Sequence, residues 1–239
     1  TEKKTIRFVC ISDTHTYTDN LVLPEGDVLI HTGDFTHKGK KEEISKFCEF
    51  LDKQKFAHKV VIAGNHEATL DPLNYSKYIE SGEYQKWDLP VENTEELVSM
   101  LKKSCTYLCH ESTEVLGYKI FGSPYTPKIF LWAFDRSWIC LKEEWKKIPD
   151  DTDILLTHGP PSEILDFDLA VNDNVGDKTL ADHILKRVKP KYHVFGHVHE
   201  EYGEKVVDGV HFINAATCTF DYEPTNKPIV FELPIKSGV

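Results

Sequence analysis

The stretch Tyr192-His193-Val194-Phe195-Gly196-His197-Val198-His199 organises the rest of the chain. Its first four residues predict a short buried strand, which ends at a glycine. Two histidines follow the glycine, one residue apart. Because neutral imidazole is the commonest metal ligand in proteins, a strand that ends in Gly-His-x-His predicts one half of a metal site.

Four other apolar runs also end in side chains that can bind metal. The runs begin at Ile6, Val28, Lys59 and Asp153. Counted over all five runs, these side chains are Asp13 and His15, Asp34, Asn65 and His66, His158, and His197 with His199. In open α/β sheets, ligands bind beyond the carboxyl ends of the strands, so one shared site is expected. Asp13 and His15 should point to the same side if the backbone there stays extended.

The donor set is too large for a single tetrahedral zinc ion. Imidazoles, two carboxylates and an amide oxygen suit two divalent ions of intermediate hardness, bridged by a shared carboxylate. Manganese is favoured, with iron, zinc, cobalt and magnesium as alternatives. No cysteine belongs to the set, which disfavours a structural zinc or iron–sulfur site.

The composition limits the class of partner. The net charge of −11 argues against a nucleic-acid polymer and an anionic membrane, although bound metal ions can still attract a phosphate. No apolar run is long enough to cross a membrane, and the polar start Thr1–Lys4 is not a signal peptide. The six scattered cysteines are typical of reduced thiols, so a cytoplasmic protein is expected. No linker or repeat divides residues 1–239, which predicts a single domain.

Periodicity predicts the remaining elements. Three helices are expected: Glu42 to Lys55, a second that begins at Asn93, and Lys178 to Val188. The short runs Tyr107–Leu108, Val115–Leu116 and Tyr118–Phe121 predict an antiparallel meander in a second sheet. The last strands are predicted at Val210–Asn214 and Ile229–Leu233.

The aromatic segment Ser123–Trp145 has two interpretations. It is either a loop and helix packed on the core, or a substrate wall on which a base or aryl group stacks. Arg136 within it could reach a phosphate, although such an arginine more often makes a surface ion pair. His37 is a further candidate for phosphate contact, whereas His193 is expected in the core.

The motifs Asp-x-His, Gly-Asp, Gly-Asn-His-Glu, a strand-end His and Gly-His-x-His, in this order, resemble those of the calcineurin-like metallophosphoesterases. The segments Ile11–His15, Thr157–Pro161 and Asn214–Ala216 are most similar to the metallophosphoesterase-domain-containing subgroup, which resembles class III cyclic-nucleotide phosphodiesterases. The resemblance implies an α/β fold: a four-layer α/β/β/α sandwich of two mixed β-sheets flanked by helices, with a dinuclear metal site at one rim.

The resemblance also implies a role for each candidate. One ion would be held by Asp13, His15 and His199, the other by Asn65, His158 and His197, and Asp34 would bridge them. Some members of the subgroup lack the first histidine of Gly-His-x-His and are weak enzymes, but this chain keeps it. His66 is left over, so we expect it to protonate the leaving oxygen as the catalytic residue. Glu67 either orients His66 or lies on the surface.

The predicted function is the metal-dependent hydrolysis of phosphodiesters, with a hydroxide that bridges the two ions as the nucleophile. A small phosphate ester of the nucleotide or cyclic-nucleotide type is the favoured substrate. The alternatives are a phosphomonoesterase that acts on a small metabolite or a phosphoprotein, and a weakly catalytic nucleotide-binding or scaffold protein. A DNA nuclease is disfavoured by the acidic composition. The oligomeric state stays open.

Overall fold

Two mixed β-sheets lie at the centre of the computed structural model, which describes residues 4–82, 88–128 and 132–236. The strands of the first sheet are β1 (Thr5–Ile11), β2 (Val28–His31), β3 (His58–Ile62), β4 (Thr106–Leu108) and β15 (Ile229–Pro234). They lie in the order β15-β1-β2-β3-β4. Strand β15 is antiparallel to β1, and the other neighbours are parallel.

The strands of the second sheet are β5 (Glu111–Val115), β6 (Tyr118–Ser123), β9 (Ile154–Thr157), β12 (Tyr192–Phe195), β13 (Gly203–Val207) and β14 (Val210–Asn214). They lie in the order β13-β14-β12-β9-β6-β5, with antiparallel pairs at both edges and parallel pairs between them. Two small ribbons pair β7 (Thr126–Pro127) with β8 (Asp135–Arg136), and β10 (Phe167–Asp168) with β11 (Asp173–Asn174).

Helices cover the outer faces of both sheets. They are α1 (Lys41–Lys53), α2 (Pro72–Ser81), α3 (Thr94–Ser104), α4 (Trp138–Trp145) and α5 (Lys178–His183), which continues as a π-helical turn over Ile184–Val188. Short 3₁₀ turns lie at Ala68–Leu70 and His199–Glu201. One apolar core lies between the sheets, a second between the first sheet and α1 with α3, and a third between the second sheet and α4 with α5. The predicted four-layer α/β/β/α arrangement is confirmed.

Strand β1 shows why the layers form where they do. Because successive side chains of a strand point to opposite faces, Phe8 and Cys10 enter the core between the sheets, while Val9 and Ile11 pack toward α1. Full burial of such an apolar side chain stabilises a fold by about 1.5–3 kcal/mol. A shift of one residue would exchange the two faces, so burial on both sides fixes the register of β1.

The predicted helices are present, with small changes at their ends. Helix α3 begins where predicted, because the side chain of Asn93 accepts a hydrogen bond from the Glu96 amide at 3.0 Å. The placement of Tyr107–Leu108 in the second sheet is wrong. These residues belong to β4, which pairs in parallel with β3 of the first sheet after the crossover through α3. The chain passes from the first sheet to the second at Cys109–His110, where His110 adopts a φ of 59°.

None of the helices in the described ranges is long and apolar enough to cross a membrane. The six cysteines are free thiols.

Candidate metal centre

The five strands that precede the predicted ligands end at one rim of the sandwich. Hydrogen bonds continue beyond β1 and β2, since the Asp13 amide donates to the Gly33 carbonyl and the His15 amide donates to the Asp34 carbonyl, each at 2.9 Å. Three groups of ligand atoms result, and within each group all atoms lie within 4.8 Å of one another. The groups are Asp13 with His15 and His199, His15 with Asp34 and His66, and Asp34 with His158 and His197.

Asn65 completes the set, because its Oδ1 lies 2.8 Å from His158 Nε2. All seven predicted metal ligands and His66 are therefore brought together in one cluster, which we call the polar cluster. Their assignment as ligands of particular ions stays a prediction.

The backbone around these residues is unusual. Asp13, His15, Asp34 and His197 adopt φ values of 50°, 40°, 55° and 72°, in the left-handed region. The backbone after β1 is therefore not extended, so the condition set for Asp13 and His15 is not met, and they converge through tight left-handed turns. Each such residue costs about 1–3 kcal/mol, and such strain concentrates at functional sites.

Two glycines bring the strand ends close to the carboxylates. A Cβ atom at Gly196 would overlap the carboxylate of Asp13, and one at Gly64 would overlap that of Asp34. Only glycine lets the ends of β12 and β3 approach the carboxylates of Asp13 and Asp34 this closely. The glycines noted in the sequence thus shape the polar cluster.

The histidine rings are oriented by backbone carbonyls behind them. The Nδ1 atoms of His15, His158 and His199 lie 3.3, 2.8 and 3.0 Å from the carbonyl oxygens of Thr36, Thr32 and Thr219. We assign the Nδ1 hydrogen to each of these contacts, which turns the Nε2 lone pair toward the centre. This is the usual support for a histidine that binds metal.

The resulting arrangement fits divalent cations. The Nε2 atoms of His15 and His199 lie 3.2 Å apart, and His199 Nε2 lies 3.5 Å from Asp13 Oδ1. His158 Nε2 lies 3.3 Å from Asp34 Oδ2. Lone pairs that converge with carboxylate oxygens need a positive charge among them, which a metal ion supplies.

The carboxylates are held in their ionised form. Burial opposes the charge of Asp34, but the imidazoles of His158 and His66 keep its pKa well below the ordinary value. Burial also opposes the charge of Asp13, but the imidazoles of His199 and His158 nearby lower its pKa. Burial lowers the pKa of His15 and of His197 to about 4, so both rings are neutral and can donate lone pairs at neutral pH.

His158 behaves differently from the neutral rings. Burial would lower its pKa, but the charge of Asp34 prevails and raises that pKa to about 9. A dication that binds between the two side chains would take the place of this proton. Proton release on metal binding is the expected consequence.

His66 lies at the edge of the polar cluster. Its amide donates to Asp34 Oδ1 at 2.9 Å, its Nδ1 lies 2.8 Å from the His37 carbonyl, and its Nε2 lies 3.9 Å from Asp34 Oδ2. The ring centroid lies 4.8 Å from that of Trp132. The position suits either a ligand or a proton donor, and the predicted catalytic role stays a prediction.

Glu67 was placed wrongly by both interpretations of the sequence. It is fully buried, and its carboxylate accepts hydrogen bonds from the amides of Asp34, Thr36 and Gly64 and from the Thr36 hydroxyl, at 2.7–2.9 Å. It therefore ties the loop after β2 to the loop after β3, and none of these bonds goes to the His66 ring. The sequence carries no sign of this role, because the contacts join two irregular loops.

His31 is a second supporting residue that the motifs did not reveal. Its ring is fully buried, its Nδ1 accepts from the Gly33 amide at 3.2 Å, and its Nε2 lies 3.0 Å from the Thr14 hydroxyl. It joins the loop after β1 to the loop after β2. His193, in contrast, lies in the core as predicted, with Nε2 2.7 Å from the Thr157 hydroxyl.

A cavity of about 810 Å³ adjoins the polar cluster. We call it the aromatic cavity, and the described residues that line it are His37, Lys38, Asn65, His66, Ala68, Tyr78, Leu89, Trp132, Ala133 and Tyr222. Tyr222 also packs on the polar cluster, with its ring centroid 4.9 Å from His15 and 5.1 Å from His199. No sequence motif pointed to Tyr222.

The core interpretation of the segment Ser123–Trp145 is confirmed for some residues, and the substrate wall stays a prediction for another. Phe134 and Trp145 are fully buried in the core, whereas Trp132 lines the aromatic cavity. Phe130 lies outside the described residues. Arg136 makes an ion pair, as one of its two interpretations expected, but not at the surface: its guanidinium pairs with the fully buried Asp71, at 3.3 Å from Nη1 to Oδ2.

A sandwich with a rim of aspartates, histidines and an asparagine defines a metal-dependent phosphoesterase, and comparisons with known proteins agree. The family model for calcineurin-like phosphoesterases matches residues 6–201. Metallophosphoesterase domain-containing protein 1 of Homo sapiens is 43% identical over 232 residues, which cover 95% of this chain and 71% of that protein. A UPF0046 protein of Caenorhabditis elegans is 38% identical over 238 residues, which cover 98% and 83% of the two chains.

The chain therefore belongs to the calcineurin-like phosphoesterase family, as the motifs predicted. Membership implies a hydrolase that uses divalent metal ions. Among solved structures, the protein TT1561 of Thermus thermophilus shares the fold, with a TM-score of 0.55 at 13% identity over 88% of each chain.

Proposed function

We propose that the protein is a dinuclear metallophosphoesterase that hydrolyses phosphodiesters of the nucleotide or cyclic-nucleotide type. The aromatic cavity is the observation that favours diesters. A diester carries one negative charge and two organic groups, or one group bonded through two oxygens in a cyclic nucleotide, whereas a monoester carries up to two charges and a single ester bond. Lys38 is the only lysine or arginine among the described lining residues, and it pairs with Asp88 at 3.0 Å. The cavity therefore suits an organic group better than additional negative charge.

Two ions fit the polar cluster best. One would be held by Asp13, His15 and His199, the other by Asn65, His158 and His197, with Asp34 shared between them. Bound ions lower the pKa of a coordinated water and withdraw charge from the phosphoryl group. The mixture of oxygen and imidazole donors favours manganese, with iron, zinc, cobalt or magnesium as substitutes.

The side chain of His66 supplies the proton. Hydrolysis adds a hydroxyl group from water to phosphorus, breaks one P–O bond and leaves the departing oxygen in need of a proton. The contact between His66 Nδ1 and the His37 carbonyl fixes the ring, so a proton on Nε2 faces the interior of the site. The imidazolium form would be the donor; the neutral form left after the transfer regains a proton before the next turnover, which balances the proton that the attacking water gives up.

The substrate is expected to be small. The chain carries 39 acidic against 28 basic residues, which disfavours a polymeric nucleic acid. The polar cluster, with its bound ions, would be the local positive charge that attracts the phosphate.

The test compares two esters of the same alcohol. The protein is stripped with a chelator, reloaded with manganese, and assayed on bis(4-nitrophenyl) phosphate and on 4-nitrophenyl phosphate. We expect metal-dependent turnover with the higher kcat/KM on the diester. Turnover of the monoester alone would support the phosphomonoesterase instead. Bound metal without turnover of either ester would support a nucleotide-binding or scaffold protein.

A further inference from the structure

We propose that the aromatic cavity is a subsite for a planar aromatic group carried by the leaving alcohol, and that Trp132 selects this group. The inference rests on the proposed diester hydrolysis, and it states which of the two organic groups enters the cavity.

The position of the cavity relative to His66 identifies the group. Of the predicted metal ligands, Asn65 alone is among the described lining residues, and His66 and His37 lie beside it. The cavity therefore opens on the His66 side of the polar cluster. The oxygen that His66 protonates belongs to the departing alcohol, so the substituent on that oxygen extends into the cavity.

Hydrogen bonds to the backbone of Trp132 hold this residue beside His66. Its amide donates to Asp135 Oδ2 at 3.1 Å, and its carbonyl accepts from Asn74 Nδ2 at 3.4 Å. The next residue, Ala133, donates its amide to the Asn65 carbonyl at 3.3 Å. Trp132 is 42% exposed although its backbone is held by hydrogen bonds, which leaves aromatic surface free to stack.

Further lining residues offer mainly apolar contact surface. Ala68 and Leu89 provide aliphatic surface, and Tyr78 and Tyr222 add two aromatic rings to that of Trp132. The volume lies in the range of small-molecule sites, about 300–1,000 Å³. Because every nucleobase has a π face, stacking of this kind tolerates different bases. The subsite would accept purines, pyrimidines and simple aryl groups.

The main experiment uses two diesters with the same leaving group. Methyl 4-nitrophenyl phosphate and bis(4-nitrophenyl) phosphate both release 4-nitrophenol, but they retain a methyl and an aryl group respectively. We expect Trp132→Ala to lower kcat/KM of the manganese-loaded enzyme on both diesters alike, by roughly tenfold. The matched control is Trp138→Ala, since Trp138 is also exposed but is not among the lining residues.

The other outcomes contradict the inference. A loss confined to bis(4-nitrophenyl) phosphate would place the retained group in the cavity. Equal activity of the Trp132→Ala enzyme and the wild type on both diesters would mean that the cavity is not a subsite.

A binding measurement separates this inference from the proposed function. The manganese-loaded protein is titrated with 2-naphthol and with cyclohexanol, followed by calorimetry. We expect 2-naphthol to bind, to bind roughly tenfold more weakly to the Trp132→Ala protein, and to bind unchanged to the Trp138→Ala protein. Cyclohexanol should bind more weakly than 2-naphthol.

Diester turnover without 2-naphthol binding would overturn the subsite and leave the function intact. Binding that depends on Trp132 in a protein without diester turnover would overturn the function and leave an aromatic site.

Discussion

The polar cluster and the aromatic cavity meet at Asn65 and His66, yet different parts of the fold form them. The cluster comes from the ends of five strands in both sheets, and its carboxylates are buried. Two of the large rings that line the cavity, Trp132 and Tyr222, stand on loops and are 42% and 43% exposed. Under the proposed function, the sheets would fix the chemistry, whereas segments outside the sheets would carry selectivity.

The largest expected effect comes from Asp34→Asn in the polar cluster. Asp34 belongs to two of the three ligand groups, and it is the charge partner of His158. We expect kcat to fall by roughly 10²–10³-fold on every ester, together with a loss of bound metal. Metal analysis of the folded protein, with circular dichroism as a control, tests this. If the fall in kcat depended on the organic group of the ester, the polar cluster would also contribute to selectivity, contrary to the comparison above.

His66→Ala probes the boundary between the two regions. We expect kcat to fall by roughly 10²–10⁴-fold while the metal content stays unchanged, because the variant lacks the proton donor. Esters of alkyl alcohols should suffer more than those of 4-nitrophenol, since a poor leaving group depends more on protonation. If the variant loses an ion, His66 belongs to the cluster as a ligand.

Glu67→Ala tests the support of the cluster. Removal of the buried carboxylate leaves three amides and one hydroxyl without their acceptor. We expect the free energy of unfolding to fall by about 3 kcal/mol, as measured by urea denaturation. The ratio of kcat/KM between methyl 4-nitrophenyl phosphate and bis(4-nitrophenyl) phosphate should not change. A changed ratio would show that Glu67 also shapes the cavity.

Asp135→Asn tests the support of the cavity and should have the smallest effect. Burial raises the pKa of Asp135, which accepts from the Trp132 amide, to about 7. The folded state therefore holds a proton on this group between pH of about 4 and 7 that the unfolded state has released, so wild-type stability falls as the pH rises through this window.

The variant lacks this titration. After allowance for solvent screening, we expect the Tm of the wild type to fall by roughly 2–4 °C relative to the variant between pH 5 and pH 8. Asp52→Asn on the exposed side of α1 is the control. Parallel pH profiles of the Asp135→Asn protein and the wild type would contradict the assignment.

The same division explains what could be predicted from the sequence. His158 and His197 could be found because each follows directly on a short apolar run, and parallel strands bring such positions to one rim. Glu67 and Tyr222 could not, because their contacts join loops that are distant along the chain. Residues with a left-handed backbone lie in those loops, such as Asp34 and Tyr222 itself, and apolar periodicity does not encode them.

The order of the strands also has a kinetic consequence. Strand β1 lies between β2 and β15 in the first sheet, and the rings of His15 and His199 meet across 184 residues of sequence. Contacts of such long range form late in folding, since the loop must close before they contribute energy. During synthesis, β1 keeps an unpaired edge until β15 leaves the ribosome, and such edges invite aggregation. Binding of the metal ions by the polar cluster would then mark the end of folding rather than nucleate it.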